Sequence, residues 1–169
     1  MKKLLMVLPM ALSLSSLPVM ANENDTWIPK EYVAYCEEIG AKYHVCPELL
    51  EAIMEAESSG KKYARNGSCV GLMQINMNYA PERMAKLGVE DAYDPYGNIE
   101  LACDILVELY ETYGEDTYEA LTRYNGWADV ARRKREQDWP YYARHIVERS
   151  YRLEEIHGKH DYSGYKDFF

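Results

Sequence analysis

The stretch Cys46-Pro47-Glu48-Leu49-Leu50-Glu51-Ala52-Ile53-Met54-Glu55-Ala56-Glu57-Ser58-Ser59-Gly60 decides the reading of this chain. Proline beside an acid is a helix-opening pattern, because proline lacks only a donor that the first turn leaves unused, and the acid faces the positive end of the helix dipole. Leu49, Leu50, Ile53, Met54 and Ala56 then recur at helical spacing as a stripe for the core. Ser58-Ser59-Gly60 stops the helix. Glu57 thus falls in the last turn of an apolar helix, at the edge of the core, where burial raises a carboxyl's pKa toward the range useful for protonating a leaving group. Glu55 is its nearest rival. Two positions along a helix turn it by about 200°, away from the face that Glu57 presents.

Two further runs downstream complete a constellation: Gly71-Leu72-Met73-Gln74-Ile75-Asn76 and Tyr124-Asn125-Gly126. In their order they offer one carboxylate, one amide-rich turn and one phenol. The segments between them read as mainly helical. Pro29 or Lys30 opens a helix through Tyr32, Val33, Cys36, Ile39 and Ala41 that ends near Lys42. Residues 60 to 80 lack helical periodicity. They carry the turn dipeptide Asn66-Gly67 and then Val70 to Ile75, a short irregular strand or hairpin.

Helical patterns resume over about Ala80 to Leu87. Another follows Asp94-Pro95, with Asn98 as its expected cap and Ile99, Ala102, Ile105, Leu106, Leu109 and Tyr110 on one face. Thr117 to Tyr124 and Tyr141 to about Glu155 complete the set, the last with Ala143, Ile146, Val147, Ser150 and Leu153 inward.

The ends of the chain bound its environment. Lys2 and Lys3, an apolar stretch from Leu4 to Leu12 and Val19-Met20-Ala21 form the pattern of a secretory signal peptide, residues 1 to 21. That stretch is shorter than the roughly 20 residues that span a bilayer, so no stable membrane insertion is expected after cleavage. Cleavage would leave 148 residues, a size suited to one domain, expected over 22 to 156 and as a monomer. Residues 157 to 169, where charge, glycine and aromatics mix without a period, are expected to be a mobile tail with His157 and His160 solvated.

Loss of Lys2 and Lys3 would move the formal charge from -9 to -11, which argues against nucleic acid and anionic membranes as partners. A neutral or weakly charged polymer fits better. Four cysteines, Cys36, Cys46, Cys69 and Cys103, in an exported chain favour disulfides, with three connectivities open. Without a CxxC pair, and with histidines 44, 145, 157 and 160 mostly remote in sequence, no metal site is expected.

At Glu57-Ser58, the Gly71-Leu72-Met73-Gln74 turn, Asp94-Pro95 with Asn98-Ile99, Tyr124-Asn125-Gly126 and Tyr142, the chain resembles the goose-type lysozyme and lytic transglycosylase family. The resemblance runs from about Tyr35 to Leu153. It implies a lysozyme-like helical domain with a short irregular hairpin or turn near a cleft. It also implies cleavage of the bond between N-acetylmuramic acid and N-acetylglucosamine in peptidoglycan, in the cell envelope or outside the cell, with Glu57 as the single acid and base and no cofactor.

On the same resemblance Ser58 orients the carboxylate, Met73 gives apolar contact, and Gln74 and Asn125 hold sugar amides and hydroxyls. Tyr124 bonds near Glu57 or the sugar's acetamido group, and Tyr142 lines the cleft. Leu50, Met54 and Met73 are candidates for the apolar wall around the acid. Three positions depart from the family pattern: Asn66 and Ser68 are the nearest candidates for a loop serine, Cys69-Val70 replaces a small residue, and Arg123 replaces an alanine.

Most glycosidases pair two carboxylates. Here none convincingly accompanies Glu57: Glu100 reads as a first-turn acid, and Asp91 and Asp94 as structural. The missing partner favours closure of a 1,6-anhydro ring over hydrolysis, and the resemblance implies that the substrate's own N-acetyl carbonyl assists it. The alternatives are a hydrolase that uses Asp94 or Asp91, or a weakly catalytic wall-remodelling module of a secretion or conjugation apparatus. With 16 tyrosines against two phenylalanines most phenols must be structural, and Trp27, Trp127 and Trp139 read as packing residues, Trp127 nearest the cleft rim. The run Arg132-Arg133-Lys134-Arg135 reads as a solvated loop or helix face.

Overall fold

The computed structural model describes residues 26–114, 116–127 and 129–158. Within them lie seven helices and one small sheet: α1 (Lys30–Tyr43), α2 (Pro47–Ser58), β1 (Arg65–Asn66), β2 (Cys69–Val70), β3 (Ile75–Asn76), α3 (Pro81–Leu87), α4 (Pro95–Tyr113), α5 (Thr117–Tyr124), α6 (Val130–Glu136) and α7 (Tyr141–His157). The mainly helical class is as expected. So is the lysozyme-like arrangement of helices around a small β element.

Pro47 opens α2, and Ser59, in the left-handed region at φ 52°, closes it with its N–H on the Glu55 carbonyl. The buried stripe of α2 is wider than the sequence suggests, since Glu48 and Glu51 are fully buried beside Leu49, Leu50, Ile53 and Met54. The reason is that α2 is covered on two sides, by α1 and by α7. The helix α4 packs on α1 and α5, and α5 packs on α7, so that one continuous core joins all five.

The strands form an antiparallel sheet in the order β1-β2-β3, with Asn66 opposite Cys69 and Cys69 opposite Asn76. Gly67, at φ 60°, supplies the left-handed turn between the first two. Ser68 Oγ donates to Asn76 Oδ1 at 3.0 Å, which ties the turn between β1 and β2 to β3.

Asn98 is not the cap of α4. Asp94 is: its carboxylate accepts from the Gly97 N–H at 2.7 Å, ahead of Pro95. Asn98 is fully buried and clamps the loop across from it. Its Oδ1 accepts from Met73 N at 2.7 Å, and its Nδ2 donates to the carbonyls of Val70 (3.2 Å) and Ala92 (2.8 Å). Gly71, at φ 81°, passes so close that a Cβ there would lie 2.2 Å from Asn98 Nδ2.

The disulfide expectation is not met. All four cysteines are free, and Cys36, Cys46 and Cys103 are buried, which pushes each thiol's pKa up. They serve as small core residues, a common use of cysteine that a count of thiols does not distinguish from pairing. His157, expected in a solvated tail, belongs to a helix. Helix α7 runs through His157, whose ring is anchored to α2 rather than solvated, with Nδ1 2.8 Å from Glu48 Oε1. The signal-peptide reading and residues 159–169 lie outside the described residues.

The basic run forms α6, its charges largely answered by neighbours: Arg132 by Glu136, and Lys134 by Glu119 and Asp116. Trp139 is buried, whereas Trp27 is 78% exposed and is not a packing residue.

Candidate active site

Three elements meet at Glu57. It occupies the last turn of α2, half-buried, and its Oε1 accepts a hydrogen bond from the Tyr142 hydroxyl at the start of α7, 2.6 Å away. Burial raises the Glu57 pKa above that of an ordinary glutamate, and the Tyr142 hydrogen bond, which favours the carboxylate, opposes part of that rise. Glu55 points elsewhere. It is held by Arg149 Nε at 2.6 Å and by the Thr26 hydroxyl at 3.0 Å, a structural engagement away from Glu57.

Tyr124, at the end of α5, is the third participant. Its hydroxyl donates to the Met73 carbonyl at 2.8 Å. Burial, and then the negative charge of Glu57, push its pKa well up, so the phenol stays protonated beside the acid. Tyr142 is raised by the same two causes. Tyr142 alone donates to the Glu57 carboxyl, while the Tyr124 phenol stands near it with its hydrogen on the Met73 carbonyl.

Tyr124 also lines a groove of about 360 Å³ with Gln74, Asn125 and Gly126 on one part of its wall, and Ile75, Tyr79, Ile105 and Leu109 among the apolar liners. Glu57 and Tyr142 are not on this lining; Tyr124 connects them to it. Gln74 reaches the groove from a strained backbone, φ 49°, secured by its own Nε2 donating to the Gly71 carbonyl at 2.9 Å. Asn125 is exposed, and its Oδ1 accepts from the Trp127 indole at 2.8 Å, which brings that tryptophan to the rim.

Two of the expected site residues are buried. Met73 is fully buried and contributes its backbone, N–H to Asn98 and carbonyl to Tyr124, because the Gly71 turn directs its side chain into the core. Ser58 is buried, and its Oγ donates to the Met54 carbonyl at 3.2 Å one turn back, as serine often does within a helix, instead of orienting Glu57. Arg123 is drawn away from the acid: its Nη2 is 2.7 Å from Glu119, and its guanidinium stacks 3.4 Å over the Tyr113 ring.

The groove's lining contains no aspartate or glutamate. Asp94 is spent on capping α4, and Asp91 accepts from the Tyr93 N–H at 2.8 Å. Asn98 is the residue whose importance the sequence understated. Its three bonds fix the turn that carries Gln74 and the carbonyl that holds Tyr124. The signals for it in the sequence were its place at a helix start and, through the family resemblance, its place beside Ile99.

Comparison with known proteins bears on the same region. The chain matches the family described as "Transglycosylase SLT domain" over residues 34–145, a span that includes Glu57, the 71–76 turn, Tyr124-Asn125 and Tyr142. It is 36% identical over 99 residues to a transglycosylase of Enterobacteria phage PRD1, covering 56% of this chain and 36% of that protein. It is 31% identical over 113 residues to membrane-bound lytic murein transglycosylase C of Yersinia enterocolitica, covering 58% and 32%. Membrane-bound lytic murein transglycosylase E of Buchnera aphidicola is 31% identical over 80 residues, covering 43% and 36%. The chain spans about a third of the length of these relatives. With the family match covering most of the folded residues, the chain belongs to the transglycosylase SLT domain family.

Proposed function

We propose that this chain is an exported peptidoglycan lytic transglycosylase. It cleaves the β-1,4 bond between N-acetylmuramic acid and N-acetylglucosamine and leaves a 1,6-anhydro-muramic end. One observation carries the reading: Glu57 is a half-buried carboxyl with a raised pKa, bonded to the Tyr142 phenol and near Tyr124, which lines a groove without any carboxylate. The relatives' names support murein as the substrate class, and the pattern of residues 1 to 21 supports export. Among the described residues no helix is long and apolar enough to cross a membrane.

In the reaction, protonated Glu57 gives its proton to the glycosidic oxygen as the bond to muramic C1 breaks. The substrate's N-acetyl carbonyl oxygen bonds to C1 and takes up the positive charge. Glu57, now a carboxylate, removes the proton from the C6 hydroxyl, whose oxygen displaces the acetamido oxygen at C1 and closes the ring. Protons balance, and Glu57 ends as it began. The O–H group of Tyr142 steadies the carboxylate between the two steps. Gln74 and Asn125 provide amides along the groove for sugar hydroxyls and acetamido groups.

Mass analysis of products from purified peptidoglycan tests this. The wild-type protein should release 1,6-anhydro ends, and Glu57→Gln should lower the rate about 10²- to 10⁴-fold, the usual contribution of a general acid. Reducing ends in place of anhydro ends would assign a hydrolase instead.

A further inference from the structure

A second set of titratable groups lies where α1, α2 and the end of α7 meet. Glu48 and Glu51 are one turn apart on α2, and both are fully buried. Glu37 of α1 and His157 in the last turn of α7 join them from partly exposed positions. One donor atom from each of the four lies within 4.8 Å of all the others. His157 Nδ1 is 2.8 Å from Glu48 and 4.0 Å from Glu51 Oε1.

Glu51 is the telling member. Both of its carboxylate oxygens are buried without a hydrogen-bond partner, although they face this cluster. A buried carboxylate ordinarily has donors around it, and one without them calls for an explanation. Arg149, a cation whose charge reaches Glu51, is engaged by Glu55 with Nε at 2.6 Å and Nη2 at 2.9 Å.

We propose that Glu37, Glu48, Glu51 and His157 bind a divalent first-row transition ion of the zinc or manganese kind, which staples α1, α2 and α7 together. Three carboxylates alone would suit calcium or magnesium, and the imidazole nitrogen shifts the preference to transition ions. With metal–ligand bonds of about 2.0–2.2 Å, donors on one ion lie at most about 4.4 Å apart, so the observed spacing needs only a small closing movement. The ion gives the two Glu51 oxygens the bonded partner that they otherwise lack. Its entry path runs past the two partly exposed ligands, Glu37 and His157. The site is independent of the sugar chemistry, since Glu51 lies about 9 Å along the helix axis from Glu57.

Calorimetric titration of the full folded protein, first dialysed against a chelator, with zinc chloride or manganese chloride provides the test. The expected result is one ion per chain and a rise in the thermal midpoint. Glu51→Gln and His157→Gln should each weaken binding at least about tenfold, with circular dichroism checking that the helices persist. Should Glu51→Gln not fold, His157→Gln decides, because it alters a partly exposed helix end. Absence of stoichiometric binding by the wild-type chain would overturn the proposal. So would binding that survives both substitutions, or binding lost only in Cys46→Ser, whose thiol lies 3.4 Å from Glu48.

Discussion

At the scale of single residues, the chemistry depends on a balance at Glu57 between two opposing influences. Burial holds the proton on, and the Tyr142 hydroxyl at 2.6 Å favours its loss. The sign of a substitution follows directly. Tyr142→Phe keeps the ring but removes the donor that stabilises the carboxylate, so the Glu57 pKa should rise further. Protonation of the leaving group requires the acid form, so the limb on which kcat/KM falls with increasing pH should move to higher pH in Tyr142→Phe. A pH–rate profile of both proteins checks this. A limb that stays fixed or moves to lower pH would show that Tyr142 does not act through the acid. Glu57 itself was legible in the sequence because helix periodicity and a stop signal are local. Its phenol partner lies 85 residues away, and the family pattern, not spacing, pointed to it.

At the scale of elements, the 71–74 turn owes its shape to α4. Gly71 sits where a Cβ would strike Asn98, and Asn98 holds Met73, Val70 and Ala92 at once. Asn98→Ala should cost about 2–4 kcal/mol, since it leaves buried backbone groups unpaired. Gly71→Ala carries about 1–2 kcal/mol of left-handed backbone strain plus the clash. The double variant removes the atom that the new Cβ meets, so its loss should fall short of the sum of the two singles. Urea denaturation of all four proteins measures that coupling, and strict additivity would refute the contact. Reading Asn98 as a cap was a natural error, because helix-start chemistry is written in neighbouring residues. A clamp across 25 residues is not.

For the whole molecule, stability comes from one helical core without covalent crosslinks. Dithiothreitol should leave the thermal midpoint within about 2 °C, whereas loss of a disulfide worth about 2–4 kcal/mol would lower it by at least about 4 °C. The cysteine count had pointed the other way because it speaks to the compartment, while pairing depends on geometry. Helix boundaries such as Pro47, Asp94-Pro95 and Thr117 to Tyr124 were readable from caps and periodicity. The Glu48–His157 contact, 109 positions apart, had no local signature.

The contacts between α2 and α7 run in opposite directions along the two helices: Glu57 with Tyr142, Glu55 with Arg149, and Glu48 with His157. Such an antiparallel ladder sets a ruler on the gene. The connections between residues 59 and 140 can gain or lose length without disturbing it. A single residue inserted in α7 after Tyr142 would rotate everything beyond it by about 100° and detach the lower rungs together.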